Sequence, residues 1–449
     1  MPDKIRNYRH ILASVVILLC VSLDSVLSAQ STAPRTIHFI HGQWFDGTRF
    51  LAKDLYSVDG ILSKSRMQQH IDETVDLHNG YVIPPFGDAH EHNFDSVERT
   101  PAVTAQYLKD GIFYAQGMTD VLDGARAAAA ANLVNTPSTV DVTYAHGGLT
   151  SINGHPKDVY ESLALGFYYP SNEAQRQQVI TSHLRAGQAY WEIDSPTDLT
   201  ATWPGILATK PDLIKIYLTN TEHYTHENHV HPPLGGGLDP ALVPLVVERA
   251  HAAGLKIAAH VDTAADVHVA LLGGVDELAH MPGYCLDPKQ ATLPYRLFDA
   301  DIAVASRKHV TIIPTASICD NDRVSSAMRT AIRTMQLDNL RRLKTAGVNI
   351  VIGSDSYGSD SLHEAQYLHS LGLWTNLELL RIWSITTPED IVHKHSPTRR
   401  IAKLDPGYEA SFLVLNGNPL LDWTATGEID QRWKQGQPIT PAPLPASKP

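Results

Sequence analysis

His90-Glu91-His92 sets two imidazoles one residue apart. On an extended chain alternate side chains leave from the same face, so such a pair can chelate a single cation. Three further candidate ligands end short apolar runs: His260 after Leu255 to Ala259, His280 after Val275 to Ala279, and Asp355 after Val348 to Ser354. Lys215 stands inside another such run, Leu213 to Leu218, flanked by Ile214 and Ile216. A surface lysine is the ordinary alternative there, but an apolar strand is an unusual place for one. The chain holds 23 histidines beside 9 phenylalanines and 7 tryptophans. Imidazole is the commonest metal ligand, so the composition points toward metal chemistry.

The elements that carry these residues repeat one layout: an amphipathic helix, a glycine stop and a strand ending on a candidate ligand. Ala241 to Ala253 with Gly254 precedes the His260 strand, and Thr263 caps a helix that Gly273 and Gly274 end before the His280 strand. A helix from about Ala331 to Ala346, stopped by Gly347, precedes the Asp355 strand. Strands alternating with helices imply parallel pairing. The apolar runs Tyr81 to Ile83, Gly111 to Ala115, Val140 to Tyr144, Leu213 to Leu218, Leu255 to Ala259, Val275 to Ala279, Val310 to Pro314 and Val348 to Gly353 supply eight strands. That pattern predicts an α/β fold, a (β/α)8 TIM barrel, whose active sites lie at the carboxyl ends of the strands. Pro84-Pro85-Phe86-Gly87-Asp88 is no phosphate-binding loop, which argues against an open doubly wound sheet. Short strand-like runs at Thr36 to Ile40, Leu55 to Val58, Thr74 to Leu77 and Ser411 to Leu415 predict a small composite β domain built from both termini.

The expected organisation is therefore a signal peptide over residues 1–29, the β domain over 30–84 and 401–433, the barrel over 85–400, and a disordered tail over 434–449. Lys4, Arg6 and Arg9 precede the apolar stretch Ile11 to Leu23, with small Ser28 and Ala29 at the cleavage position. That stretch is short of the roughly 20 residues of a membrane-spanning helix. Export to the periplasm or medium without a stable membrane anchor follows. The net charge of -12, from 36 lysines plus arginines against 48 acidic residues, leaves no broad basic surface for nucleic acid. Beyond the leader only Cys285 and Cys319 remain; they read as two buried thiols, with one disulfide as the alternative.

In Gly87-Asp88-Ala89-His90-Glu91-His92, Ile214-Lys215-Ile216, Ala259-His260, Leu278-Ala279-His280, Gly353-Ser354-Asp355 and the stretch Gly407 to Pro419, the chain resembles the amidohydrolase superfamily. Ile214-Lys215-Ile216 is similar to its prolidase-like branch. The resemblance implies two divalent ions, zinc first, with manganese, iron or cobalt as alternatives. His90, His92 and Asp355 would hold the more buried ion and His260 and His280 the other. Lys215 would bridge them as a carbamate. The implied reaction is cleavage of an amide, peptide-like or cyclic-amide C–N bond by a metal-bridged hydroxide, with Asp355 as general base and acid. A capping role at a helix N-terminus is the plainer alternative for Asp355.

Two loops are candidates for shaping a pocket for a small-molecule substrate. His146 to Pro156 is glycine-rich and offers His146 and His155; Glu222 to His231 offers Tyr224 and four histidines, which would hold an extra ion or simply be solvated. Competing functions are a single-metal deaminase of heterocycles, a lactone or ester hydrolase, and a non-catalytic metal-binding barrel. The deaminase branch usually places a glutamate three residues after the fifth-strand histidine, where this chain has Thr263. A homo-oligomer is a plausible assembly.

Overall fold

The computed structural model describes residues 35–66, 70–224, 234–284, 293–320 and 324–443. The proposed leader lies outside them. Among the described residues no helix is long and apolar enough to cross a membrane.

The chain first lays down β1 (Thr36–Phe45), β2 (Phe50–Val58), β3 (Ile61–Ser63), β4 (Glu73–Asp76) and β5 (Tyr81–Ile83). Three parallel strands follow, β6 (Phe86–Glu91), β7 (Ile112–Gly117) and β8 (Asp141–Tyr144). Seven more make a second parallel sheet: β9 (Gly148–Thr150), β10 (Tyr190–Glu192), β11 (Leu213–Tyr217), β12 (Lys256–His260), β13 (Glu277–Ala279), β14 (Thr311–Ile313) and β15 (Asn349–Ile350). The chain closes with β16 (Phe412–Leu415), β17 (Ile429–Lys434) and β18 (Gln437–Pro438).

These last three strands join β1 to β5 in one sheet, where β5 pairs with both β1 and β16. The two ends of the chain thus share a sheet. Its core is aromatic: the ring of Phe412 meets Phe39 at 5.0 Å and Trp44 at 5.1 Å, both edge-on. Every residue of β7 and of β11 is buried, as expected of parallel strands covered on both faces.

The fold departs from the expected one in four places. The parallel strands pair as sheets of three and seven instead of a continuous ring of eight. Backbone hydrogen bonds nevertheless cross both gaps, from Ala89 N–H to Ile352 at 2.8 Å and from Asp212 N–H to Tyr144 at 2.8 Å. Tyr81 to Ile83 is not the first strand of this parallel system but β5 of the terminal sheet. Pro84 and Pro85, which lack N–H donors, interrupt the ladder before β6 begins. Beyond the predicted strands, β9 and β10 form from three residues each, too few for a strand period to register, and β9 follows directly on Gly147. The tail from residue 434 is ordered through residue 443. Gln435 and Gly436, at φ of 52° and 71°, make the tight turn between β17 and β18, and Lys434 is buried against the carbonyls of Thr136 and Thr139 and the carboxylate of Asp141.

Cys319 is disulfide-bonded, against the expectation of two free thiols. Cys20 and Cys285 lie outside the described residues.

Candidate active site

All six predicted ligands line one cavity of about 330 Å³ at the carboxyl ends of the parallel strands. β6 delivers His90 and His92 to the same side, with their Nε2 atoms 3.3 Å apart. Asp355 Oδ1 lies 3.2 Å from His90 Nε2 and 3.0 Å from His92 Nε2. Donor atoms of these three residues fall within 4.8 Å of one another, the spacing of a shared cation. His280 approaches from the other side, with Nδ1 3.6 Å from Asp355 Oδ2 and its ring 4.6 Å from that of His260.

Lys215 is 1% exposed, and its Nζ has no hydrogen-bond partner among the described residues. An unpaired buried ammonium is strongly disfavoured. Burial accordingly pulls its amine down to about 7. Gly148 makes the room: a Cβ there would stand 2.4 Å from Tyr217 Cε2 and 3.3 Å from Lys215 Cγ. Gly353 does the same for β6, because its Cβ would fall 2.7 Å from both the N and Cβ of His90.

Burial also pushes the His90 imidazole down to about 3 and lowers His260 and His280. For Asp355 burial works toward a raised value, but the adjoining His90 and His280 outweigh it and hold the carboxyl well below the usual range. Neutral imidazoles beside an ionised carboxylate are the protonation states that cation ligands require.

The partners of the rings decide which nitrogen is available. His92 Nδ1 lies 2.8 Å from the Thr119 carbonyl oxygen, which can only accept. Nδ1 therefore carries the proton and Nε2 the lone pair. His260 is oriented the opposite way: Nε2 donates to Asp262 Oδ1 at 3.2 Å, an oxygen that also accepts from Tyr284 Oη at 2.7 Å. Its Nδ1 is left for a ligand. His280 Nδ1 meets Thr315 Oγ1 at 2.7 Å, which leaves Nε2.

Backbone strain gathers here. Asp355, His280 and Thr315 have φ of 47°, 93° and 45°. A positive φ is unusual for a non-glycine residue, above all for β-branched threonine, and such residues concentrate at functional sites.

Of the three residues predicted to bind substrate, the structure brings one to the cavity. His155 lines it, with Nδ1 2.9 Å from Asp158 Oδ1 and its ring 4.9 Å from that of His260. Burial would lower its pKa, but Asp158 prevails and raises it. His146 is instead buried outside the lining, stacked on Tyr144 at 5.2 Å, and its positive φ of 55° turns it away from the path of β9. Tyr224 follows the short turn Thr221–His223 and is not part of the lining. Residues 225–233 of that loop, including His226, His229 and His231, lie outside the described residues.

Sequence reasoning missed Asp262, Tyr217 and Asp88. Asp262 and Tyr217 each stand two residues beyond a candidate ligand, the spacing that puts side chains on one face of a strand. Asp88, two residues before His90, is fully buried and accepts from the N–H groups of His90 and Ser354 and from the Tyr107 hydroxyl. It ties the first parallel strand to the segment that carries Asp355.

No protein-family model matches the chain, and no curated protein matches it by sequence. Solved structures do. It is similar to the A. niger ochratoxinase at 16% identity and a TM-score of 0.67, over 90% of this chain and 95% of that one. It is similar to a Xaa-Pro dipeptidase with bound methionine in its active site at 14% identity and a TM-score of 0.65, over 90% and 99%. Phenylurea hydrolase B aligns at 14% identity and a TM-score of 0.67, over 92% and 100%. These neighbours are members of the amidohydrolase superfamily, and the chain has their fold over nearly its whole described length.

Proposed function

We propose that the protein is an exported, metal-dependent hydrolase of amide-like C–N bonds in small molecules, working through two divalent cations that a carboxylated Lys215 would help to hold. In this reading the two parallel sheets, joined by the bonds across both gaps, act as one barrel flanked by the terminal sheet. The observation that carries the proposal is the Lys215 amine. It is buried, has no hydrogen-bond partner among the described residues, and shares a cavity with five imidazoles and two carboxylates.

The donor set fits such ions. His90, His92 and Asp355 would hold one, His260 and His280 the other, and Lys215 would reach both. The neutral amine adds carbon dioxide and releases a proton, giving a bidentate anion that satisfies Nζ and adds negative charge to the site. When bound, the cations supply Lewis acidity, which lowers the pKa of water toward neutrality and polarises a carbonyl.

The remaining steps belong to the chain. Asp355 takes the proton of the attacking water and returns it to the departing amine nitrogen as the C–N bond breaks. Asp158 keeps His155 toward its protonated form, so that Nε2–H can donate to the substrate carbonyl oxygen.

Reconstitution of metal-free protein with zinc tests this reading. Retained metal and release of amine from a panel of N-acyl amides should both depend on bicarbonate. Retention should rise as the pH passes through about 7, because below that value the Lys215 amine is protonated and cannot add carbon dioxide. Ammonia release from heterocycles with one ion bound, and none from amides, would instead identify a deaminase.

A further inference from the structure

Among the described residues six tyrosines line the cavity: Tyr160, Tyr168, Tyr169, Tyr217, Tyr284 and Tyr357. Several of their hydroxyls are committed to the protein itself. Tyr160 donates to the Thr119 carbonyl at 2.7 Å, Tyr284 donates to Asp262 Oδ1 at 2.7 Å, and Tyr217 is bonded to the Thr119 hydroxyl. A phenol whose oxygen is engaged within the protein is held in place and has its ring left as the part available to a ligand. The Tyr357 ring lies near-parallel on His92, with centroids 5.2 Å apart and 16° between planes. Tyr168 and Tyr169 meet edge to face at 4.9 Å and are 57% and 48% exposed, which leaves ring surface open to a ligand.

Among the described lining residues the fixed charges are few, and His155, which Asp158 keeps toward its protonated form, is already assigned to the substrate carbonyl. Among the described lining residues Lys215 is the sole lysine and there is no arginine, and the carboxylates are Asp355 and Asp262. Asp262 Oδ1 is already engaged by His260 and Tyr284. The volume, about 330 Å³, falls at the small end of the ordinary range for ligand pockets, about 300–1,000 Å³.

We infer that this wall selects a flat aromatic group, so that the preferred substrates are aryl amides. The inference rests on the hydrolase reading above for the word amide, but not for the ring. Offset and edge-on ring contacts favour an arene over a saturated ring of similar size. Because the anchored tyrosines are already ordered, little freedom is lost when the ring enters.

Binding can be measured without turnover. Metal-loaded protein is titrated by calorimetry with benzyl alcohol and with cyclohexylmethanol, which carry the same polar group and have no bond for a hydrolase to cut. The aromatic probe should bind roughly tenfold more tightly. Exchanging the two mouth rings in the double variant Tyr168→Leu/Tyr169→Leu should reduce that ratio to roughly twofold, while Tyr168→Phe/Tyr169→Phe should keep it. Both positions are exposed enough to spare the fold, which a melting curve checks. Equal affinity for the two probes, or a ratio untouched by the leucine variant, would overturn the inference. Amide turnover without aromatic preference refutes this inference alone; the preference without turnover of any amide refutes the hydrolase reading alone.

Discussion

Asp355→Asn should leave a folded, metal-binding protein whose kcat is lower by about 10² to 10⁴, the usual contribution of a positioned acid–base group. The substitution isolates the proton-transfer role. Asparagine keeps an oxygen of the same shape near His90 and His92, and it is among the residues best able to adopt the positive φ of 47° found here. What it cannot do is take a proton from water. Turnover at saturating substrate, measured beside metal content and a melting curve, separates the outcomes. Near-normal kcat would mean that Asp355 only positions ligands, and unfolding would mean that its carboxylate is needed for structure.

The second large effect concerns stability. Lys394 is buried, and its Nζ contacts Glu277 Oε1 at 2.6 Å, Asp390 Oδ2 at 2.8 Å and Gln116 Oε1 at 2.6 Å. Lys394→Met should cost about 3–5 kcal/mol, because it strands two carboxylates in a buried site. Replacing the more deeply buried carboxylate as well, as Lys394→Met/Glu277→Leu, should recover part of that loss, because only the less buried Asp390 is then left without its lysine. Urea unfolding of the three proteins measures both quantities. A single-variant loss below about 1 kcal/mol would show that water reaches the network and screens it. The network has a further consequence for the site. Glu277 is in register with Ala258, and Ala258 with Lys215, so the ion pair supports the level of the sheet on which the candidate bridging lysine sits.

The ligands were legible in the sequence for a local reason. His260, His280 and Asp355 each follow a short apolar run, and the two-residue period of His90 and His92 survives folding unchanged. Lys215 stood out because an apolar strand enclosed it. What the sequence hid was long-range pairing. Nothing local says that Tyr81 to Ile83 will join β1 and β16 instead of leading the parallel strands, and β9 and β10 are three residues each, too short for a periodicity to register. The C-terminal hairpin was obscured by the prolines that follow it, although the buried Lys434 and Trp433 hold it in place. Composition could not reveal that Lys434 has partners nearly 300 positions away, from Thr136 to Asp141.

The pocket was the least legible part. His146 and His155 sit in one glycine-rich stretch, yet the chain turns one toward the cavity and buries the other. The tyrosines of the wall come from separate segments, and only tertiary structure brings them together. Asp262 and Tyr217 could have been flagged from their spacing to His260 and Lys215, but the hydrogen bond that Tyr284 makes to Asp262 could not.

The proposed chemistry turns on a two-cation centre built around Lys215. Elemental analysis of metal per chain, on wild type and Lys215→Ala purified side by side with bicarbonate present, tests it most directly. Two ions are expected in the wild type and one or none in the variant. A single ion in the wild type, unchanged by the substitution, would contradict it.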